Sequence, residues 1–196
     1  GFGRTGRMFA CEHASITPDL LCLGKGITGG TLPLSATIAT AEIFAAYLGE
    51  HEERKTFFHG HTYTGNPIAC AAALASLELF QKDSVLSHVG ALASELTRLL
   101  EPLNQLSHVA DIRQWGLMTG IELVDEVPSR KPFPLGRRIG KQVALEARKR
   151  GIILRPLGDV IILMPPLATT LDELRNLVTV VADCIEAATK SAAILK

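Results

Sequence analysis

The apolar residues of this chain fall into two textures, short unbroken runs and longer stretches at helical spacing. Their alternation limits the fold to a mixed α/β or α+β class. Leu20-Leu21-Cys22-Leu23 stops at Gly24, as a buried strand does, and residues 35–40 form a second candidate strand. Thr40 precedes a helical stretch from Ala41 to Leu48. Asn66-Pro67 opens a long alanine-rich helix running to about Gln81. Asparagine accepts orphan amides at a cap, and proline at the first helical position lacks a donor that would have no partner anyway.

Beyond Lys82-Asp83 the texture becomes amphipathic. Val85, Val89, Leu92, Leu96, Leu99 and Leu100 share one face of a helix expected over residues 83–103. Two strands follow, around 109–114 and 116–123, and then a loop over 126–134 punctuated by Pro128, Pro132 and Pro134. A helix over 136–150 stops at Gly151, and residues 152–155 and 160–164 read as paired strands around Leu157-Gly158-Asp159. Thr170-x-x-Glu173 is a capping box that opens a last helix. A domain boundary near residue 83 separates 1–82 from 83–196.

Composition narrows the function. Twenty Lys and Arg balance twenty Asp and Glu, so no long-range field draws the chain to nucleic acid or to an anionic membrane. No segment approaches the roughly 18 to 20 apolar residues that span a bilayer. The opening Gly1-Phe2-Gly3-Arg4 has neither an initiating Met nor the apolar core of a signal peptide, which reads as a chain entered partway through. Cys11, Cys22, Cys70 and Cys184 form no C-x-x-C pair and read as reduced thiols of a cytoplasmic protein. His59 and His61 alone have a spacing near that of zinc ligands, and no metal is expected.

Three places could carry chemistry. Lys25 stands between Gly24 and Gly26 at a strand end, where a flat ligand could approach the backbone. Desolvation there would disfavour the ammonium form, as a Schiff-base or general-base lysine requires; a surface turn lysine is the alternative. His59-Gly60-His61-Thr62-Tyr63-Thr64-Gly65-Asn66-Pro67 sets hydroxyls and amides ahead of a helix N-terminus, which suits a phosphate or is an ordinary capped loop. Arg155 lies in Ile152-Ile153-Leu154-Arg155-Pro156-Leu157, among the most apolar surroundings in the chain, so a guanidinium held there needs an anion. That anion is either Asp159 or a substrate carboxylate gripped bidentately.

These residues converge on a family. Gly1-Phe2-Gly3-Arg4-Thr5-Gly6 with Met8-Phe9-Ala10, and Leu23-Gly24-Lys25-Gly26-Ile27-Thr28-Gly29-Gly30, resemble the class III aminotransferases that use pyridoxal 5'-phosphate. Within that class, three further pieces are similar to the branch that aminates 8-amino-7-oxononanoate to 7,8-diaminononanoate in biotin synthesis. They are residues 59–67, Ala69-Cys70-Ala71-Ala72-Ala73, and Arg155-Pro156-Leu157-Gly158-Asp159-Val160-Ile161 with Met164-Pro165-Pro166. The resemblance runs in register over nearly the whole chain, but only along the C-terminal half of the family's length.

The resemblance implies a fold-type I transferase. Residues 1–82 would be the end of the large mixed-sheet cofactor domain, and 83–196 the smaller α+β domain. Lys25 would hold the cofactor and act as the base. His61 and Thr62 would reach the phosphate across a homodimer interface, Gly60 would touch substrate through its backbone, and Arg155 would bind the keto-acid carboxylate. The family motif usually carries Pro where His61 stands, which bears only on that side chain. S-adenosylmethionine or lysine would be the amino donor, the latter used in a branch similar around residues 55–61. Without the N-terminal half and its acidic partner for the pyridine nitrogen, 196 residues are not expected to be a competent enzyme. An ω-amino acid aminotransferase, a glutamate semialdehyde aminomutase and a non-catalytic fragment are the rival readings.

Overall fold

Leu20–Leu23 forms strand β1, which pairs antiparallel with β2, Ala36–Ala39, in a register running from Leu20↔Ala39 to Leu23↔Ala36. Between them the chain winds into a 3-10 helix, Lys25–Thr28. Thr40 caps α1, Ala41–Ala45, its hydroxyl accepting from the Ile43 amide at 3.4 Å. α1 stops short of the expected Leu48. α2, Pro67–Lys82, begins at the Asn-Pro signal. In this computed structural model, which describes residues 1–193, these elements make up one unit, Gly1–Phe2 with Arg7–Val85.

β1 is a strand but not the buried one expected. Leu20 is 56% exposed and Ile38 51%, because among the described residues no third strand joins this sheet. α2 lies against the Lys25–Thr28 turn. Its buried residues, Ala69 and Ala73, are small, and Ser76 on the same face sits 4.0 Å from where a Cβ on Gly29 would stand.

The second unit comprises Gly3–Gly6 and the chain from Leu86 onward. Its sheet has the order β3-β4-β5, all antiparallel: β3 is Val109–Trp115, β4 Met118–Leu123 and β5 Val160–Leu163. The helices are α3, Val85–Leu100, α4, Ile139–Lys149, and α5, Leu171–Ala193. Helical spacing sets the core: Val89, Leu92, Leu96 and Leu100 of α3, Ile139, Val143 and Ala147 of α4, and Leu174, Val178, Val181 and Ile185 of α5 are all buried. Ile121 and Leu123 of β4, and Ile161 and Leu163 of β5, alternate inward with the strand period.

In the second unit, two helices differ from expectation at their ends. α3 gives way after Leu100 to a 3-10 helix, Glu101–Gln105, because Pro102 restricts the residue before it and has no amide. The helix expected over 136–150 is split at Arg138, which takes a left-handed φ of 49° between the 3-10 turn Leu135–Arg137 and α4.

The strand expected over 152–155 does not form. Gly158, at φ 59°, and Asp159 make a two-residue turn closed by reciprocal Leu157–Val160 bonds of 2.9 and 3.0 Å. The reversal is therefore as expected, but pairing goes no further, and β5 joins β4 instead. Ile152 and Leu154 are half-buried while Ile153 and Arg155 are exposed. The apolar pattern reported alternating burial, not a ladder, and Pro156 restricts Arg155 beside the turn. This turn is pressed onto α4. Asp159 Oδ1 accepts from the Gly140 amide at 2.8 Å, and a Cβ on Gly140 would run into the Gly158 carbonyl oxygen.

Two outcomes follow. Gly140→Ala should cost about 1–3 kcal/mol in urea unfolding, since the backbone of the turn must move to admit the methyl group. Glu95, on α3, takes hydrogen bonds from Arg98 and from Arg175 of α5 at 2.6 and 3.1 Å. The Arg98 bond above all, opposed by desolvation and helped by Arg175, holds its pKa down at about 2. A carboxylate with a depressed folded pKa stabilises above its unfolded value and loses that contribution as pH falls toward the folded one. The urea midpoint should therefore drop between pH about 4.5 and about 2, and drop less in Glu95→Gln.

Candidate active site

Lys25 opens its 3-10 helix in the left-handed region, φ 45°. For a residue with a Cβ that backbone costs about 1–2 kcal/mol, so the surroundings must impose it. They do so from several sides. The Gly30 amide returns to the Lys25 carbonyl at 2.9 Å, and the Ile27 amide to Gly24 at 3.3 Å. Thr28, 2% exposed, donates its hydroxyl to the Leu32 carbonyl at 2.6 Å, while the Thr31 hydroxyl donates to the Thr28 carbonyl at 2.8 Å. Gly26 is glycine because the Phe2 ring lies where its Cβ would be, 2.8 Å from Phe2 Cβ. Phe2 is itself held edge-on by Phe9, ring centroids 5.6 Å apart.

The Lys25 side chain is exposed, and its Nζ makes no hydrogen bond or ion pair among the described residues. The expected desolvation is thus not supplied by this chain's own described residues. What they supply is a fixed direction for an unpartnered amine.

Residues 59–65 are exposed throughout and fold back on themselves. The Thr64 hydroxyl accepts from the His61 amide at 3.1 Å, His61 Nδ1 accepts from the Tyr63 amide at 3.1 Å, and Gly65 turns the chain at φ 68°. With Nδ1 an acceptor, neutral His61 carries its proton on Nε2. Asn66 Oδ1 then takes the Ile68 and Ala69 amides at 3.0 and 3.1 Å, and its carbonyl takes the Cys70 amide at 2.9 Å. Pro67 has no amide, so every first-turn donor of α2 is already occupied. An anion bound by the helix terminus, as the sequence suggested, has no donors left there. Thr62 keeps both its hydroxyl and its amide unpaired among the described residues. Next to Thr62 in sequence, His61 presents its Nε2.

Arg155 is exposed, which corrects the expectation of a guanidinium withdrawn from water. It makes no ion pair among the described residues, and Asp159, its suggested partner, is committed to Gly140. Arg155 instead borders a groove of about 850 Å³ whose walls include Ile152, Leu157, Ile162, Met164 and Pro166, with Asn176 and Glu173 as polar points. An aliphatic trough with one free cation suits an anion carrying an apolar chain.

The Asn-Pro pair announced the occupation of the α2 donors by Asn66. Sequence reasoning missed the cap made by Asp159 and the packing of Phe2 on Gly26, which join residues far apart in the chain and leave no local signature.

Residues 1–185 match the family model for Aminotransferase class-III. The chain belongs to that family. It is similar to the adenosylmethionine-8-amino-7-oxononanoate aminotransferase of Nitratidesulfovibrio vulgaris, 55% identical over 98% of this chain and 36% of that protein. The Geobacter sulfurreducens protein of the same name is 52% identical over 91% of this chain and 39% of its own length. The crystal structure of that aminotransferase from Methanocaldococcus jannaschii superposes with a TM-score of 0.90 at 46% identity, covering 95% of this chain and 44% of the other. An (S)-enantioselective omega-transaminase from Thermomicrobium roseum reaches 0.88 at 33% identity, over 96% of this chain and 41% of its own. This member of the class III family thus spans well under half the length of those relatives.

The cap supports one measurable expectation. Asn66→Ala removes the acceptor of two amides and should lower stability by about 1 kcal/mol in thermal unfolding, while Asn66→Asp, which keeps the acceptor, should not.

Proposed function

We propose that the chain is the lysine-bearing portion of a pyridoxal-phosphate-dependent aminotransferase that converts 8-amino-7-oxononanoate to 7,8-diaminononanoate in biotin biosynthesis. The observation that carries this reading is a pair of unpartnered cations in fixed settings: an amine on a turn locked by its neighbours, and a guanidinium at the edge of an aliphatic groove. The names of relatives at 45% to 55% identity support the substrate.

The donor set fits the cofactor. Lys25 offers the primary amine that condenses with an aldehyde, and the unpaired hydroxyl and amide of Thr62, with His61 Nε2–H, suit a phosphate dianion. Pyridoxal phosphate, when bound, supplies a conjugated ring that takes up the electron pair left as a proton departs from a substrate carbon. Lys25 Nζ accepts that proton and hands it on as the general base. Gly60 contacts substrate through its backbone. Arg155 grips the carboxylate of the keto acid bidentately, and the groove beside it takes the methylene chain, so the distance from carboxylate to ketone sets which acceptor reacts.

Residues 1–82 form the end of the large cofactor domain and residues 83–196 the smaller domain of a fold-type I enzyme. The whole enzyme is a cytoplasmic homodimer, its active site lies at the subunit interface, and it needs the N-terminal portion that the relatives carry. The amino donor is S-adenosylmethionine or lysine.

Borohydride reduction of the full-length protein with cofactor, followed by peptide mapping, should place a pyridoxyl group on Lys25. Lys25→Ala should lose the label and about 10²–10⁴-fold in kcat. Label on another lysine, or faster turnover of an ω-amino acid acceptor than of 8-amino-7-oxononanoate, would overturn the assignment.

A further inference from the structure

Residues 130–150 hold eight lysines and arginines and one carboxylate, Glu146, in a chain whose formal net charge is zero. Two of these cations are neutralised within the chain. Lys149 pairs with Glu146 at 2.6 Å, and Arg150 with Asp183 at 3.1 Å. Arg130, Lys131, Arg138, Lys141 and Arg148 are exposed and make no ion pair among the described residues. The helix α4 orders part of this charge. Lys141, Leu145 and Arg148 follow at intervals of four and three, so they form one stripe, on the side away from buried Val143 and Ala147. All three are exposed. Leu135, on the turn that leads into α4, is 95% exposed and adds a second uncovered apolar side chain at the helix's entry. At its start the arrangement works against the helix itself: the first turn contains no acid, and Lys141 there opposes the helix dipole.

A leucine between two unpaired cations is complementary to an apolar residue between two carboxylates. Lys141 and Arg148 lie seven residues apart, about 10 Å along the axis, which is the spacing of the same positions on a second helix. We propose that the outer face of α4 docks an acidic helix of a partner protein, whose carboxylates meet Lys141 and Arg148 and whose apolar side chain covers Leu145. With no net charge on the chain and a screening length of about 8 Å at physiological salt, the attraction acts only at close range. A membrane surface fits this face poorly, because the broad apolar side that α4 would need there is committed to the core. A nucleic acid strand would call for aromatic rings beside the cations, and the stripe has none. None of these residues has a role toward cofactor or substrate, so the proposal stands apart from the transaminase reading.

The test is binding of the full-length protein, followed by fluorescence anisotropy, to a labelled alanine-rich helical peptide of about 18 residues. The peptide carries two glutamates seven positions apart with a leucine between them. The protein should bind it about tenfold more tightly than the same peptide with lysines in place of the glutamates. Lys141→Glu should weaken binding about tenfold, and Leu145→Asn about threefold. Raising the salt from about 0.05 to about 0.5 M should weaken it several-fold. Glutamate suits the first turn of α4 better than lysine does, so Lys141→Glu does not put folding at risk. Equal binding of the two peptides, or unchanged affinity in either variant, overturns the proposal. So does stronger competition by phosphatidylglycerol vesicles or single-stranded DNA than by unlabelled peptide, since the face would then belong to a membrane or a nucleic acid.

Discussion

The carboxylate of Asp159 closes on the amide of Gly140 at 2.8 Å, and the availability of Arg155 depends on that choice. A four-residue separation across a turn is the usual recipe for a local ion pair. Here the first turn of α4 lies so near the Gly158–Asp159 turn that only glycine fits at residue 140, and its orphan amide claims the carboxylate first. The arginine is left pointing into solvent beside an aliphatic trough. The same logic governs the 59–66 loop. Asn66 satisfies the start of α2 and Thr64 satisfies the His61 amide, while the hydroxyl and amide of Thr62, next to His61, find no acceptor among the described residues. In both places local hydrogen bonds remove the obvious partners and leave a specific group unpartnered among the described residues.

Much of this was legible in the sequence, and what was legible was local. The caps at Thr40, Asn66 and Thr170, the amphipathic face of α3, the strands β3 and β4 and the turn at Gly158 all rest on neighbours within a few residues. The failures share a cause too. Ile152–Arg155 alternates in burial as a strand would, yet pairs with nothing, because alternation follows from one face meeting a core whether or not a neighbouring strand exists. Lys25 and Arg155 were expected in apolar seclusion from the residues beside them in sequence, while exposure is a property of what packs above them. Where Asp159 goes was undecidable from spacing alone, since Gly140 is distant in the chain.

The two units also differ in how they satisfy their own apolar residues. The second closes a core from three amphipathic helices and a sheet, with Leu96, Ile121, Ile139 and Ile161 fully buried. In the first, α2 is apolar nearly all round, and Ile68 is 71% and Leu74 62% exposed. A helix of that composition is stable when covered on every side. The periodicity of the apolar residues therefore separates the two units: a clear polar face in α3 and α4 marks helices that end at solvent, and its absence in α2 marks one built to be enclosed. The lysine turn lies against this second kind of helix, whose apolar residues on the other faces remain exposed.

The backbone of Lys25 ties these points together. Left-handed residues with side chains occur elsewhere here, at Phe2 and Arg130 in turns, and at Ser15, Arg54, Ser84 and Arg138, where they end or break helices. Lys25 instead begins one, next to glycines that could have taken the strained position at no steric cost. Moving the strain by one residue would relieve it and would swing the amine off its present line from β1. That the side chain stays at the costly position, with Phe2 and Thr28 enforcing it, argues that direction at this residue is worth more than the strain it carries. Exposed Arg130 carries the same strain in an open turn; at Lys25 the bonds of Thr28 and Gly30 hold it, and with it the direction of the amine.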